Sequence, residues 1–134
     1  MAGKNETTFQ IEQVKLQTLF SERKFDEADE LATRMLNNYN KFDYELLLKR
    51  ARIRQCLMRY EEALVDANVA MKIVPDCLDA YHLLSDCLIA TSKYPEAAKL
   101  LNILAKNDPD NEDIQSHYQM VKQNNNGQND NKPT

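Results

Sequence analysis

The sequence predicts an all-α protein, an α-solenoid of three helix-turn-helix repeats followed by a C-terminal capping helix. A short block occurs three times in the chain, as KFDEA at 24–28, RYEEA at 59–63 and KYPEA at 93–97. The blocks start 35 and then 34 residues apart. Both glycines, Gly3 and Gly127, lie outside this region, so it lacks the residue that hairpin turns favour. A unit of this length cannot bury its own apolar face, and the units must therefore stack.

Apolar residues recur at helical spacing between the blocks and predict seven helices. Each block opens the second helix of a repeat, where Ala28, Ala63 and Ala97 allow close approach to the first helix. Pro95 lies in the first turn of its helix, where the missing N–H costs no hydrogen bond. The helices are expected at about 8–21, 25–38, 43–57, 60–73, 77–91, 94–107 and 111–123.

The helices that open the second and third repeats carry apolar stripes. Leu47 and Ala51 belong to one stripe, and Tyr81, Leu84 and Leu88 to the next. In the last helix, the residues expected to face the third repeat are Ile114, Tyr118 and Val121.

Prolines mark the ends of the second and third repeats. Pro75 and Pro109 each end a helix, because the residue before proline is pushed out of helical geometry. Asp76 and Asp110 follow them, each with an acidic residue three positions later, which is typical of an N-cap.

The chain is expected to form one domain at 8–123, with repeats at about 9–43, 44–77 and 78–111 and the capping helix at 111–123. Residues 1–7 are expected to be flexible. The tail at 124–134 is rich in asparagine and lacks large apolar residues, which predicts disorder.

Composition excludes several classes of protein. A net charge of −4 argues against general affinity for nucleic acid. No apolar run approaches the ~20 residues that a membrane span requires. The three cysteines are an odd number and lie within predicted helices, which indicates reduced thiols and a cytoplasmic or nuclear protein.

No pattern for catalysis or metal binding is present. Cys77, His82 and Cys87 are five residues apart, and five residues advance roughly 500° around a helix, so they do not share a face. His82 and His117 lack a nucleophile motif, and no glycine-rich phosphate loop occurs. We therefore expect no enzyme activity, no metal site and no cofactor.

The strongest charge feature is a basic run without acidic residues between 49 and 60. The favoured interpretation is a solvated helix face, partly neutralised by Asp79 and Asp86 on the next helix of the same kind. The alternative assigns Lys49 and Arg52 to partner binding. The run consists of Lys49, Arg50, Arg52, Arg54 and Arg59.

The three blocks, together with prolines 34 residues apart at 75 and 109, resemble the tetratricopeptide repeat family over about residues 9–111. Tyr60, Ala63 and Pro75 match the helix-B aromatic, the helix-crossing residue and the closing proline of that family. The first repeat departs from the pattern, with Glu12 at a large apolar position and Leu16 at a small one. Arg54 stands where the family usually has an aromatic residue.

The resemblance implies that the A helices line a concave face on which a peptide lies. The residues that it places there are Gln13, Gln17, Lys49, Arg52, His82 and Asp86. One subgroup of the family holds the terminal carboxylate of heat-shock chaperones. Of the matching positions (Gln13, Gln17, Lys49, Asp79 and Leu83), only Lys49 is cationic, and Asp79 would repel a carboxylate, so we expect this activity to be absent.

The sequence thus predicts a protein-interaction adaptor that binds an acidic or mixed-charge segment of a partner protein, with no role for nucleic acid or membrane. The alternative is a structural module that self-associates through exposed apolar sites.

Overall fold

The computed structural model describes the backbone of residues 2–130 and the side chains of residues 6–124. Within that range the protein is all-α, as predicted, and consists of seven helices joined by short turns. They are α1 (Ala2–Ser21), α2 (Phe25–Asn38), α3 (Tyr44–Cys56), α4 (Tyr60–Ile73), α5 (Leu78–Ala90), α6 (Tyr94–Asn107) and α7 (Glu112–Asp130).

Each helix packs on its neighbours in the chain, which gives three hairpins and a final helix. The hairpins are α1–α2, α3–α4 and α5–α6, and α7 packs on α6. We call α1, α3, α5 and α7 the A helices, and α2, α4 and α6 the B helices. α3 and α5 also contact each other directly, so between these repeats the A helices lie on the inner side of the stack.

One continuous core runs through the stack. Ala28, Ala63 and Ala97 are completely buried at the crossings of A and B helices, as their spacing predicts. Ile114 and Val121 on α7 are buried as well, so this helix closes the apolar end of the third repeat.

The turns from A to B helices share one geometry that the sequence pattern did not predict. Arg23, Met58 and Ser92 have φ of 62°, 61° and 60°, the left-handed region that glycine usually occupies. At each turn the following residue donates a 2.8–2.9 Å backbone bond five residues back, as Arg59 N does to Arg54 O. This pairing is the Schellman motif, which ends each A helix in the same way.

The ends of the outer helices differ from the prediction. α1 begins at Ala2, within the segment expected to be flexible, and α7 continues through 124–130, within the predicted tail. Adding residues to an existing helix is cheap compared with starting one, and Asn124 Nδ2 donates to Met120 O at 3.0 Å in α7. The rest of the predicted tail, 131–134, lies outside the described residues.

The predicted N-caps are displaced by one residue. Asp76 and Asp110 lie in the turns that follow the prolines, and Cys77 precedes α5 without a side-chain cap bond. At α7 the cap is Asn111, whose Oδ1 accepts from Ile114 N at 3.2 Å.

Across the described residues, none of the helices combines the length and the apolar character needed to cross a membrane.

Candidate functional site

The polar side chains on the side of the A helices that faces away from the B helices form a surface that we call the A face. It joins α1 to α3 through a hydrogen bond from Lys49 Nζ to Gln17 Oε1 at 2.7 Å. Gln13 and Lys49 also line a shallow depression of about 100 Å³ between the two helices. Three of the residues predicted from the sequence, Gln13, Gln17 and Lys49, thus lie together.

A second depression connects α3 to α5. It measures about 270 Å³, and Lys49 and Arg52 line it together with Asp79. Tyr44 and Glu45, which were not predicted from the sequence, complete its rim with Leu48. The cations and Asp79 therefore share one concavity, which presents both signs of charge to a ligand.

A third cluster lies between α3, α5 and α7 around Asp86. The residue is exposed as a whole, but protein atoms around its carboxyl group reduce the carboxyl's contact with water, and this raises its pKa from the ordinary value. His117, His82, the Gln55 amide and Arg52, in that order, act in the opposite direction and favour the charged form. The cluster brings together the remaining predicted residues, Arg52, His82 and Asp86.

His117 was not among the predicted site residues. The signal that could have found it is the 34-residue period, since α7 follows Pro109 as α5 follows Pro75. Continuing the period makes α7 the next A helix and places its side chains beside those of α5.

The basic run does not form one solvated face, and that interpretation is wrong for Arg50 and Arg54, whose side chains are only 17% and 15% exposed. Arg50 and Arg54 bind carboxylates of α2 and α4 on the opposite side of α3. Arg59, in the turn before α4, binds Asp29 of α2. Lys49 and Arg52 alone in this run reach the A face.

The ion pairs on the B side are largely buried. Arg50 Nε and Nη2 donate to the two oxygens of Asp66 at 2.8 and 2.7 Å, and this bonding raises the pKa of the Arg50 guanidinium against a smaller opposing effect of burial. Arg54 Nη1 donates to Asp66 at 3.1 Å and Arg54 Nε to Asp29 at 3.0 Å. Arg59 Nη1 reaches the other oxygen of Asp29 at 3.3 Å. We call these five residues the B-side ion network.

The cysteines do not form a reactive or metal-binding cluster in the part of the chain that the structure describes. Cys87 is buried, and burial, with a smaller contribution from Asp86, raises the pKa of its thiol to about 11. Among residues 6–124, no group of three or more His, Cys, Asp and Glu side chains is arranged to hold a metal ion.

Comparison with known proteins identifies the repeat. A model of the tetratricopeptide repeat family matches residues 58–121, and no curated protein sequence matches the chain.

Several solved structures have the same fold. The first repeat domain of Spaghetti (RPAP3), bound to the HSP90 peptide SRMEEVD, is 22% identical with a TM-score of 0.78, over 86% of this chain and 90% of that one. The Sgt2 domain from Aspergillus fumigatus is 17% identical with a TM-score of 0.80, over 95% and 85%. The TPR2B domain of yeast Sti1, solved as a pHsp70 complex, is 20% identical with a TM-score of 0.75, over 87% and 98%.

Proposed function

We propose that this chain is a protein-interaction adaptor, because a model of the tetratricopeptide repeat family matches residues 58–121 and the described residues have the fold of solved tetratricopeptide repeat domains. It binds a segment of a partner protein on the A face and has no catalytic role. The free thiols of its three cysteines support a cytoplasmic or nuclear location.

The observation that carries this proposal is the division of the five basic residues between 49 and 59. Arg50, Arg54 and Arg59 are engaged by the protein's own carboxylates. Arg52 is exposed and makes no ion pair within 4 Å among the described residues, and Lys49 is held only by the neutral amide of Gln17. These two cations remain available to acidic groups of a partner.

The acidic residues beside these cations define the partner further. Asp79 shares the depression of Lys49 and Arg52, and Asp86 lies beside Arg52. A ligand that is acidic throughout would face repulsion here, whereas an alternation of acidic groups with hydrogen-bond donors complements the surface. We therefore propose a mixed-charge segment that runs across α1, α3 and α5.

The peptides bound by two solved relatives differ from the segment proposed for this chain. The Spaghetti domain and the second RPAP3 domain are bound to peptides ending in EEVD. Here Asp79 stands close to the only cation that the matching positions keep, Lys49. We propose that the partner's internal acidic side chains, and not a terminal carboxylate, are recognised.

Selection from a displayed library of random peptides tests the proposal, because it requires no candidate partner. Peptides enriched on the intact protein are titrated against Lys49→Glu/Arg52→Glu and against the matched control Lys72→Glu/Lys106→Glu. The control carries the same charge change on exposed positions of the B helices. The A-face variant should bind at least ~30-fold more weakly, about 2 kcal/mol, because like charges then meet.

Two outcomes contradict the proposal. One is an equal loss of peptide affinity in both double variants, because the change in net charge alone would then explain it. The other is a strict need for a free C-terminal carboxylate, measured by comparing each peptide with its amide.

A further inference from the structure

Both histidines of the chain lie on the A face. They are His82 on α5 and His117 on α7, and each is within electrostatic reach of the Asp86 carboxyl group. His82 is partly exposed and His117 is exposed, so protons from the solvent reach both imidazoles. Histidine is the side chain whose charge ordinarily changes between pH 5 and 8. In this protein, the titration of histidine is therefore confined to one surface.

The helical positions explain why the two imidazoles lie near one carboxylate. His82 precedes Asp86 by four residues, so both project from the same face of α5. His117 approaches Asp86 from α7, the next A helix. From α3, Arg52 and Gln55 approach the same carboxyl group, and the Gln55 amide donates a hydrogen bond to it. Asp86 thus connects three A helices, with both imidazoles beside it.

Carboxylates outnumber cations around the two imidazoles at neutral pH. Asp79 and Asp86 flank His82 along α5, and Asp113 lies four residues before His117, on the same face of α7. From α3, one carboxylate and two cations line the depression that Asp79 shares. Among the described side chains, two cations thus oppose four carboxylates when the imidazoles are neutral. These six charged side chains are Glu45, Lys49, Arg52, Asp79, Asp86 and Asp113.

Protonation of both imidazoles brings these charges into balance. Two added positive charges raise the number of cations to four, which equals the number of carboxylates. Asp86 changes in the same direction, because its raised pKa brings the protonation of its carboxylate nearer to neutral pH. Acidification therefore removes the local excess of negative charge that repels the acidic groups of a ligand.

We propose that mild acidification strengthens the binding of acidic partner segments to the A face through His82 and His117. The inference rests on the proposed function, because it concerns the same surface, and it adds a control of affinity by pH. The carboxylates of a partner stay ionised at pH 5.5, because aspartate in a peptide ordinarily has a pKa of about 3.9. The protonated imidazoles attract these carboxylates and donate hydrogen bonds to them.

The size of the effect follows from the linkage between proton binding and ligand binding. A carboxylate bound beside an imidazole favours its protonated form, and the protonated form favours the bound carboxylate by the same factor. An exposed pair of opposite charges contributes a factor of roughly 1.5 to 5 in affinity. Two imidazoles together should therefore raise the affinity about fivefold between pH 7.5 and pH 5.5.

An acidic probe of known charge tests the inference without an identified partner. The probe is the peptide Asp-Gly-Asp-Gly-Asp, blocked at both ends, and backbone amide chemical shifts of the labelled protein report its affinity at pH 7.5 and pH 5.5. The parent should bind the probe about fivefold more tightly at pH 5.5, whereas the affinity of His82→Gln/His117→Gln should change by less than about twofold. A matched control adds Asn37→His/Asn68→His to these glutamines, at exposed positions of the B helices. The control regains the parent's number of histidines and should still show no pH dependence.

The outcomes separate this inference from the proposed function. Lys49→Glu/Arg52→Glu should bind the probe more weakly than the parent at both pH values. If it binds like the parent, Lys49 and Arg52 do not receive acidic groups, and the proposed function fails together with this inference. This inference alone is overturned if the parent does not bind the probe at pH 5.5, or if its affinity is the same at both pH values. It is also overturned if pH dependence persists in the glutamine variant or returns in the B-helix control.

Discussion

The third repeat has leucine at the positions that match the centre of the B-side ion network, and this difference predicts opposite results for two kinds of variant. Asp66 is the centre of the network, with its side chain only 4% exposed. Asp66→Asn keeps the shape and one acceptor oxygen but removes the charge that both Arg50 and Arg54 face.

The size of the effect depends on what remains buried. Among the side chains that the structure describes, Asp66 is the only carboxylate that Arg50 binds, whereas Arg54 retains Asp29 at 3.0 Å. Removing one member of a buried ion pair typically costs 3–5 kcal/mol, and the remaining oxygen places Asp66→Asn near the lower end, at about 3 kcal/mol. For a domain of this size the melting temperature should fall by roughly 10 °C.

Replacing the charged centre as a unit should behave differently. Asp66→Leu/Arg50→Leu/Arg54→Leu introduces the residues that the next repeat has as Leu100, Leu84 and Leu88. Buried ion pairs can often be replaced by apolar residues with little or no loss of stability. The free energy of unfolding of this triple variant should therefore lie no more than about 1 kcal/mol below that of the parent. Asp29 keeps Arg59 as a partner.

Urea unfolding followed by circular dichroism measures both variants. Unfolding of Asp66→Asn at the parent's urea concentration would contradict the expected cost, as would a triple leucine variant that loses as much stability as the single one. Arg52→Leu, outside the network, is the control and should change the free energy of unfolding by less than about 0.5 kcal/mol.

Three further predictions concern single positions. Met58→Gly should stabilise the fold by about 0.5–1 kcal/mol, because φ at residue 58 is positive and glycine adopts that conformation without strain. Asn68→Gly should destabilise the fold by a similar amount, because it places glycine inside α4, and thermal melts of the two variants test both expectations. Ala97→Arg should cost at least ~3 kcal/mol, since it forces a charged side chain into a fully buried helix crossing, and a parental melting curve would show that the crossing lies elsewhere. Asp86→Asn should raise the melting temperature slightly at pH 7. Because the pKa of Asp86 is raised in the folded state, its ionised form lowers the stability of the fold at pH values above that pKa. The gain in melting temperature should therefore vanish below the ordinary value of 3.8, where the carboxyl is protonated in both the folded and the unfolded state. A gain that persisted at pH 3 would contradict this assignment.

The repeat period accounts for most of what could be predicted. Three copies of one block placed the starts of α2, α4 and α6 at Phe25, Tyr60 and Tyr94, as observed. The positive φ values at Arg23, Met58 and Ser92 could not be predicted, because arginine, methionine and serine have no preference for that conformation.

Helical periodicity could have predicted which residues of the basic run lie on each side of α3. At about 100° per residue, Lys49 and Arg52 lie on one side of α3, and Arg50 and Arg54 lie on the other. The two carboxylates that accept hydrogen bonds from Arg54 are 25 and 12 residues away in sequence, so their identity required the packing of α2 and α4 around α3.

The decisive experiment for binding of a partner segment across the A face is an NMR titration. Backbone amide chemical shifts of the labelled protein are followed while a selected peptide is added. We expect the largest changes at Gln17, Lys49, Arg52 and His82, with the amides of Leu64, Met71 and Leu100 unmoved. Shifts concentrated at those three residues of α4 and α6, with the A face unchanged, would show that the partner binds on the B side instead.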